Sequence, residues 1–259
     1  MRSPPSWCRG SWTSPRCPPT WPAAHSTQAK GEAEYSYRIL RSGPYIRLVI
    51  GLGLGSLAAF AGLINLVPML VERGVSPAAA AWVLGVGGIG QVLGRLFYAQ
   101  LARATTVGVR TVVIFALLAA STAALAIDLT HGLVLMGISL LAGTSRGISS
   151  LLQATAVTDR WGPRAYGRLS GVMSAPIMLA VAVSPWLGAV IAEQLDSFEA
   201  MYFILAGIGA LAAVLLAFSI PRTRHSFRDP QVARASAEGR TQFRSSKSRS
   251  SAKAARTTE

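Results

Sequence analysis

The sequence predicts an all-α membrane protein with six transmembrane helices. Hydrophobic residues make up 51% of the 259 positions and charged residues only 14%, with a mean hydropathy of +0.41. The apolar residues gather into long uncharged runs, and the charges between those runs alternate in kind along the chain. Soluble domains carry about 25% charged residues, so this chain lacks the polar surface of a water-facing globule. Its apolar fraction is equally wrong for a disordered chain.

The net charge of +14, from 25 basic and 11 acidic residues, is concentrated at the two ends. Residues 1–45 hold six basic and two acidic side chains and residues 222–259 hold ten and three, leaving nine and six in between. Basic ends of this kind suit cytoplasmic tails beside an anionic leaflet rather than a folded nucleic-acid surface. The expected partner is therefore the lipid bilayer, and no nucleic acid.

Residues 1–45 contain seven prolines and no apolar run. They lack the apolar core of a secretory signal and read as a disordered, Pro/Ser-rich cytoplasmic leader. Cys8 and Cys17 fall there without a histidine pair or a metal-ligand spacing, so they suggest neither a metal site nor a disulfide framework. No metal and no cofactor is expected.

From residue 46 the character changes. Twenty-four uncharged residues separate Arg47 from Glu72, 21 separate Arg73 from Arg95, and 17 separate Arg110 from Asp128. Residues 129–158 are uncharged except for Arg146, and runs of 24 and 22 follow, between Arg168 and Glu193 and between Glu199 and Arg222. Crossing a bilayer takes about 20 apolar residues, which gives six spans, at roughly 46–71, 76–101, 107–128, 131–157, 168–192 and 198–221. The short third run suffices if Arg110 snorkels to the headgroups. Loops on one side carry Arg103, Arg110, Arg160, Arg164 and Arg168; those on the other carry Arg73 with Glu72, Asp128, Glu193, Asp196 and Glu199. The positive-inside rule places the first set and both termini in the cytoplasm, as in a multi-pass protein of the plasma membrane. Residues 222–259, rich in Ser and Arg, read as a disordered basic tail.

Two motifs look catalytic. Gly85-Val-Gly87-Gly-Ile-Gly90 matches the dinucleotide fingerprint, but that fingerprint works after a strand. In mid-span, small residues instead let helices approach closely. Gly143-Thr-Ser145-Arg-Gly147 matches a nucleophile elbow, which needs a base in hydrogen-bond reach. His131 lies near the mouth of the same span, about 21 Å from Ser145 by helix rise, and His25 and His225 lie in the tails. No enzyme class fits these residues. Gly51-x3-Gly55 and Gly90-x3-Gly94 also have helix-packing spacing.

Ionisable groups inside a membrane are costly and are functional candidates by default. Arg146 sits near the centre of the fourth span, on one helical face with Ser139, Ser149, Ser150 and Gln153. No Asp or Glu of the chain lies at that depth. The guanidinium is thus left with an anionic group on a substrate, or with backbone carbonyls, serine hydroxyls or another helix. On the second span Gln91, Arg95 and Tyr98 share a face. Asn65 and Pro68 on the first span, and Pro176 and Pro185 on the fifth, mark polar or bendable places.

The run Gly90-Gln-Val-Leu-Gly94-Arg95 with the following Arg103, Gly108 and Arg110 resembles the signature between the second and third helices of a major facilitator superfamily repeat. Thr158-Asp159-Arg160-Trp161-Gly162-Pro163-Arg164 through Gly167-Arg168 resembles the turn between helices ten and eleven. The first span, ending Asn65-Leu-Val-Pro68 and Glu72-Arg73-Gly74, is similar to a seventh helix. The resemblance covers residues 46–221, the C-terminal six-helix half of that fold, and departs from it at Ala102, where the family's loop carries an acid. It implies a secondary transporter that moves a small solute by alternating access, paired with another six-helix half or a second copy, or else a truncated scaffold that pairs without transporting. It further implies cavity or substrate roles for Arg146, Ser150, Gln153, Asn65 and Gln91, and gating roles for Arg95, Arg103, Asp159 and Arg160.

Overall fold

The computed structural model describes residues 34–127, 132–163 and 166–220. A short helix, α1, covers residues 34–40. It leads into α2 (Gly43–Ile64), α3 (Leu66–Glu72), α4 (Pro77–Ala104), α5 (Val107–Ala126), α6 (Gly132–Trp161), α7 (Tyr166–Leu195) and α8 (Phe198–Ala217). Six of these, α2 and α4 to α8, are long and apolar enough to cross a membrane. This agrees with the expected span number.

Helix ends follow local chemistry. Ser76, Thr106 and Ser197 cap α4, α5 and α8 by accepting from the backbone N–H three residues on, which satisfies donors that the first turn leaves free. Pro77 opens α4, where its missing N–H costs nothing. Gly74, at φ +83°, ends α3 in a Schellman motif: its N–H bonds the Val71 carbonyl and that of Val75 bonds Leu70. Gly162, at φ +81°, ends α6, since this left-handed backbone strongly favours glycine.

The structure corrects three boundaries. The first span is broken at Asn65 into α2 and α3, because the Pro68 ring obstructs the carbonyl four residues before it. Residues 34–45 belong to the packed structure rather than to a leader. Ile39 and Tyr45 are buried, the Tyr45 hydroxyl donates to the Leu169 carbonyl at 2.7 Å, and its ring meets Trp161 edge-on at 5.7 Å. Asp159 and Arg160, expected in a loop, form the last turn of α6, where Asp159 pairs with Arg110 of α5 and Arg160 donates to the hydroxyls of Thr111 and Ser219. The remainder of the expected leader (residues 1–33) and the tail from 221 lie outside the described residues, as do Asp128, His131 and Arg164.

α7 runs unbroken through Pro176 and Pro185. Pro185 deprives the Val181 carbonyl of its usual donor, and the Ser184 hydroxyl supplies one at 2.8 Å, the kind of local repair that lets proline persist in membrane helices.

Packing is built on small residues. α4 contacts α6 more than any other helix, α5 pairs with α8, and α2 lies against both α7 and α8. Along the α4–α6 seam, a Cβ on Gly143 would strike the Gly87 carbonyl, and one on Gly147 the Gln91 carbonyl. Reciprocally, Gly90 abuts the Leu140 carbonyl and Gly94 that of Thr144. The two backbones are in direct contact over two turns, and Ser139 adds a bond to the Val83 carbonyl at 2.7 Å. Gly51 admits α8 beside Ala212, while Gly55 receives the Phe115 ring of α5. Both catalytic-looking motifs are thus absorbed into packing. Ser145 is fully buried and donates to the Ala142 carbonyl of its own helix.

Gly143→Val overpacks this seam and is expected to cost about 1–3 kcal/mol, read as a lower unfolding temperature of the purified chain in detergent. Gly85→Ala, whose Cβ meets nothing within 4 Å, leaves that temperature unchanged. Equal effects from the two would refute the seam.

Candidate functional site

α6 carries Arg146 at mid-length, on the face turned to α4 and the end of α2. The residue is 9% exposed. Its guanidinium makes no hydrogen bond and no ion pair with any described residue, although charged groups buried in proteins are ordinarily paired. It borders a groove of about 520 Å³ whose other lining residues are Leu63, Ile64, Leu84, Gly87, Gly88 and Gln91. A Cβ on Gly87 would lie 3.5 Å from Nη2 of Arg146, whereas one on Gly88 would meet nothing within 4 Å. Gly87 therefore leaves room for the guanidinium, and Gly88 leaves room in the groove itself. Such a site can hold an apolar group against its walls while offering one positive charge and one neutral amide.

Of the five residues expected to line a cavity, Arg146 and Gln91 come together here. Ser150 instead donates to the Gly147 carbonyl of its own helix at 2.8 Å. Gln153 ties α6 to α2 by donating to the Ser56 hydroxyl at 2.7 Å. Asn65 is buried in the α2–α3 break, donating to the Ala61 carbonyl at 2.9 Å and packed against Gly188 of α7. Gln153 and Asn65 join helices, Ser150 bonds its own, and none of the three lines the groove.

A second polar cluster lies at the end of the bundle that carries the basic loops. Arg110 in the first turn of α5 is ion-paired with Asp159, contacts the Ala102 carbonyl at 3.4 Å, and has its guanidinium carbon 5.4 Å from the centre of the Tyr98 ring. The Tyr98 hydroxyl bonds Thr155 at 2.6 Å. Arg160 donates to Thr111 at 3.2 Å and to Ser219 at 3.3 Å. The cluster thus fastens α4, α5, α6 and the chain leaving α8. Two residues expected to gate stand in it, Asp159 and Arg160. Arg95 and Arg103 are exposed and stand outside it. Arg110, Tyr98, Thr111, Thr155 and Ser219 are the members that sequence reasoning did not single out for a site. Arg110 reads along the chain as a snorkelling end residue, and only the return of α6 to the same end puts a carboxylate beside it.

At the opposite end Arg73 closes α5 by donating to the carbonyls of Leu125, Ala126 and Ile127, a cation on helix-terminal acceptors.

The described residues contain no group of histidine, cysteine, aspartate and glutamate able to hold a metal ion. Six helices long and apolar enough to cross a bilayer define a polytopic membrane protein. The profile of the Major Facilitator Superfamily matches residues 46–254, most of the chain, and the chain belongs to that superfamily of membrane transporters. A search of curated proteins finds no match.

Removing one partner of a buried ion pair costs about 3–5 kcal/mol. The Asp159 side chain is 27% exposed and Arg110 5%, so Asp159→Asn is expected to cost about 2–3 kcal/mol after allowance for water at the carboxylate. The double variant Arg110→Met/Asp159→Leu is expected to cost less than the sum of the two single replacements, measured by unfolding in detergent. Strict additivity would mean the pair contributes nothing.

Proposed function

We propose that this chain is a secondary transporter, not an enzyme, that moves a small solute by alternating access and binds it in the Arg146 groove. The observation that carries the reading is the buried guanidinium with no hydrogen bond and no ion pair among the described residues, bordering an open groove inside a family of transporters. Intramembrane charge is retained where it meets a substrate or a water-filled path.

The six spans form half of a twelve-helix transport unit, completed by a second six-helix bundle or a second copy of this chain. The exposure of α4 and α7 supports this: 28% and 22% of their apolar stretches are buried, against 44–56% for the other four spans. The solute path then runs between the halves, around a site near the midplane. The Arg110–Asp159–Arg160 cluster closes one end of that path, and its opening is the gating step. The charge asymmetry of the loops supports cytoplasmic termini in the plasma membrane.

A solute path must be wet. With Cys8 and Cys17 replaced by Ser, a cysteine at Gly88 is expected to react with a membrane-impermeant thiosulfonate reagent, and alternating access requires reaction from each side of the membrane. A cysteine at the outward-facing Leu211 of α8 is the unreactive control. Equal rates at the two positions would overturn the groove as a path.

A further inference from the structure

We infer that the solute of this groove is an amphipathic organic anion, a single carboxylate-like charge on an apolar body. The inference rests on the reading of the groove as the solute site and deepens it. The walls that this chain supplies point to the class. Among the described residues that line it, Arg146 alone is charged and Gln91 alone of the others has a polar side chain; Leu63, Ile64 and Leu84 are aliphatic, and Gly87 and Gly88 offer only backbone. A cation would meet an unshielded guanidinium. A sugar or other polyol needs several side-chain partners and finds one amide, so its remaining hydroxyls would be desolvated without bonds. A polyanion would bring more charge than one guanidinium offsets.

One anionic group, by contrast, supplies what Arg146 lacks, a counter-charge able to accept two parallel N–H bonds from the planar fork. The Gln91 amide is placed to add a neutral donor on the same groove. The apolar body then lies against the leucine and isoleucine walls, in the manner of small-molecule sites with few polar groups on mostly apolar walls. A volume of about 520 Å³ holds an aromatic or short aliphatic acid with room to spare. The glycines also matter: a side chain at Gly88 would occupy the space the body needs, since a Cβ there projects into open groove.

The test uses the purified full chain in detergent and three ring compounds that differ in charge, namely benzoate, benzamide and benzylamine, at equal ionic strength, with inorganic phosphate as a fourth probe. Binding is read as concentration-dependent thermal stabilisation. Benzoate is expected to bind about tenfold more tightly than benzamide, as one charge-assisted bond implies, and benzylamine and phosphate to bind no better than benzamide. Arg146→Gln should bring benzoate down to the benzamide level, while Arg146→Lys keeps part of the preference. Because the Arg146 guanidinium makes no hydrogen bond or ion pair with a described residue that its removal would orphan, Arg146→Gln is expected to fold. Leu84→Trp, which fills the groove and leaves Arg146 in place, checks the site independently by abolishing benzoate binding.

Phosphate matching benzoate would overturn the amphipathic part of the inference, and undiminished benzoate binding in Arg146→Gln would overturn the charge. If benzamide or benzylamine binds best and Leu84→Trp abolishes it, the anion class fails while the groove stands as a solute site. If no probe binds, or none responds to Leu84→Trp, both the class and the groove fail.

Discussion

The backbone contact between α4 and α6 is the constraint on which the rest of the bundle depends. In a bilayer, lipid tails are as apolar as leucine, so helices gain little by hiding leucine from lipid, and association relies on close packing and interhelical hydrogen bonds. Gly87, Gly90, Gly94, Gly143 and Gly147 place no side chain of their own in the line of contact, which brings main chain against main chain and permits Cα–H···O contacts. The same seam fixes the site. Arg146 lies between Gly143 and Gly147 in sequence, so the register that seats those glycines against Gly87 and Gln91 also delivers the guanidinium beside Gly87 and the open space at Gly88. Packing and the candidate site are one arrangement, and a slip of α6 along α4 would destroy both.

The two ends of the bundle are held by different chemistry. At the basic end, side chains do the joining: Arg110 with Asp159, Tyr98 with Thr155, Arg160 with Thr111 and Ser219, and Tyr45 with the Leu169 carbonyl. Buried charged clusters are costly unless fully satisfied, and Nε of both Arg110 and Arg160 has no acceptor. Such a network adds less net stability than specificity of arrangement. At the other end Arg73 is spent on backbone carbonyls of α5, a fixed cap with no charge partner to exchange.

Several features were legible along the chain because they depend on local pattern. The number of spans follows from uncharged runs. The glycine motifs read as packing because their place in mid-span forbids the strand–turn–helix context their chemistry needs. Arg146 stands out because a lone arginine in an apolar run is expensive wherever the helix sits. Other features were not legible. Ser150 and Gln153 share the Arg146 face on a helical wheel, yet one bonds its own backbone and the other reaches Ser56 of α2, since a wheel gives direction but not neighbour. Asn65 looked like a polar cavity residue and proved to fill the space opposite Gly188. The partnership of Arg110 with Asp159 joins residues 49 positions apart, and nothing local to either predicts it.

What the sequence by itself determined is the class of molecule: six apolar helices, their up-and-down order, the basic end, and a buried charge without an acid at its depth. Each follows from the cost of placing polar groups in hydrocarbon, a cost paid residue by residue and so visible in one dimension. What only the tertiary structure decided is which polar groups satisfy one another and which is left to face the groove. That depends on helix–helix register, set by glycine contacts between chain segments some 50 residues apart, and no local pattern encodes it.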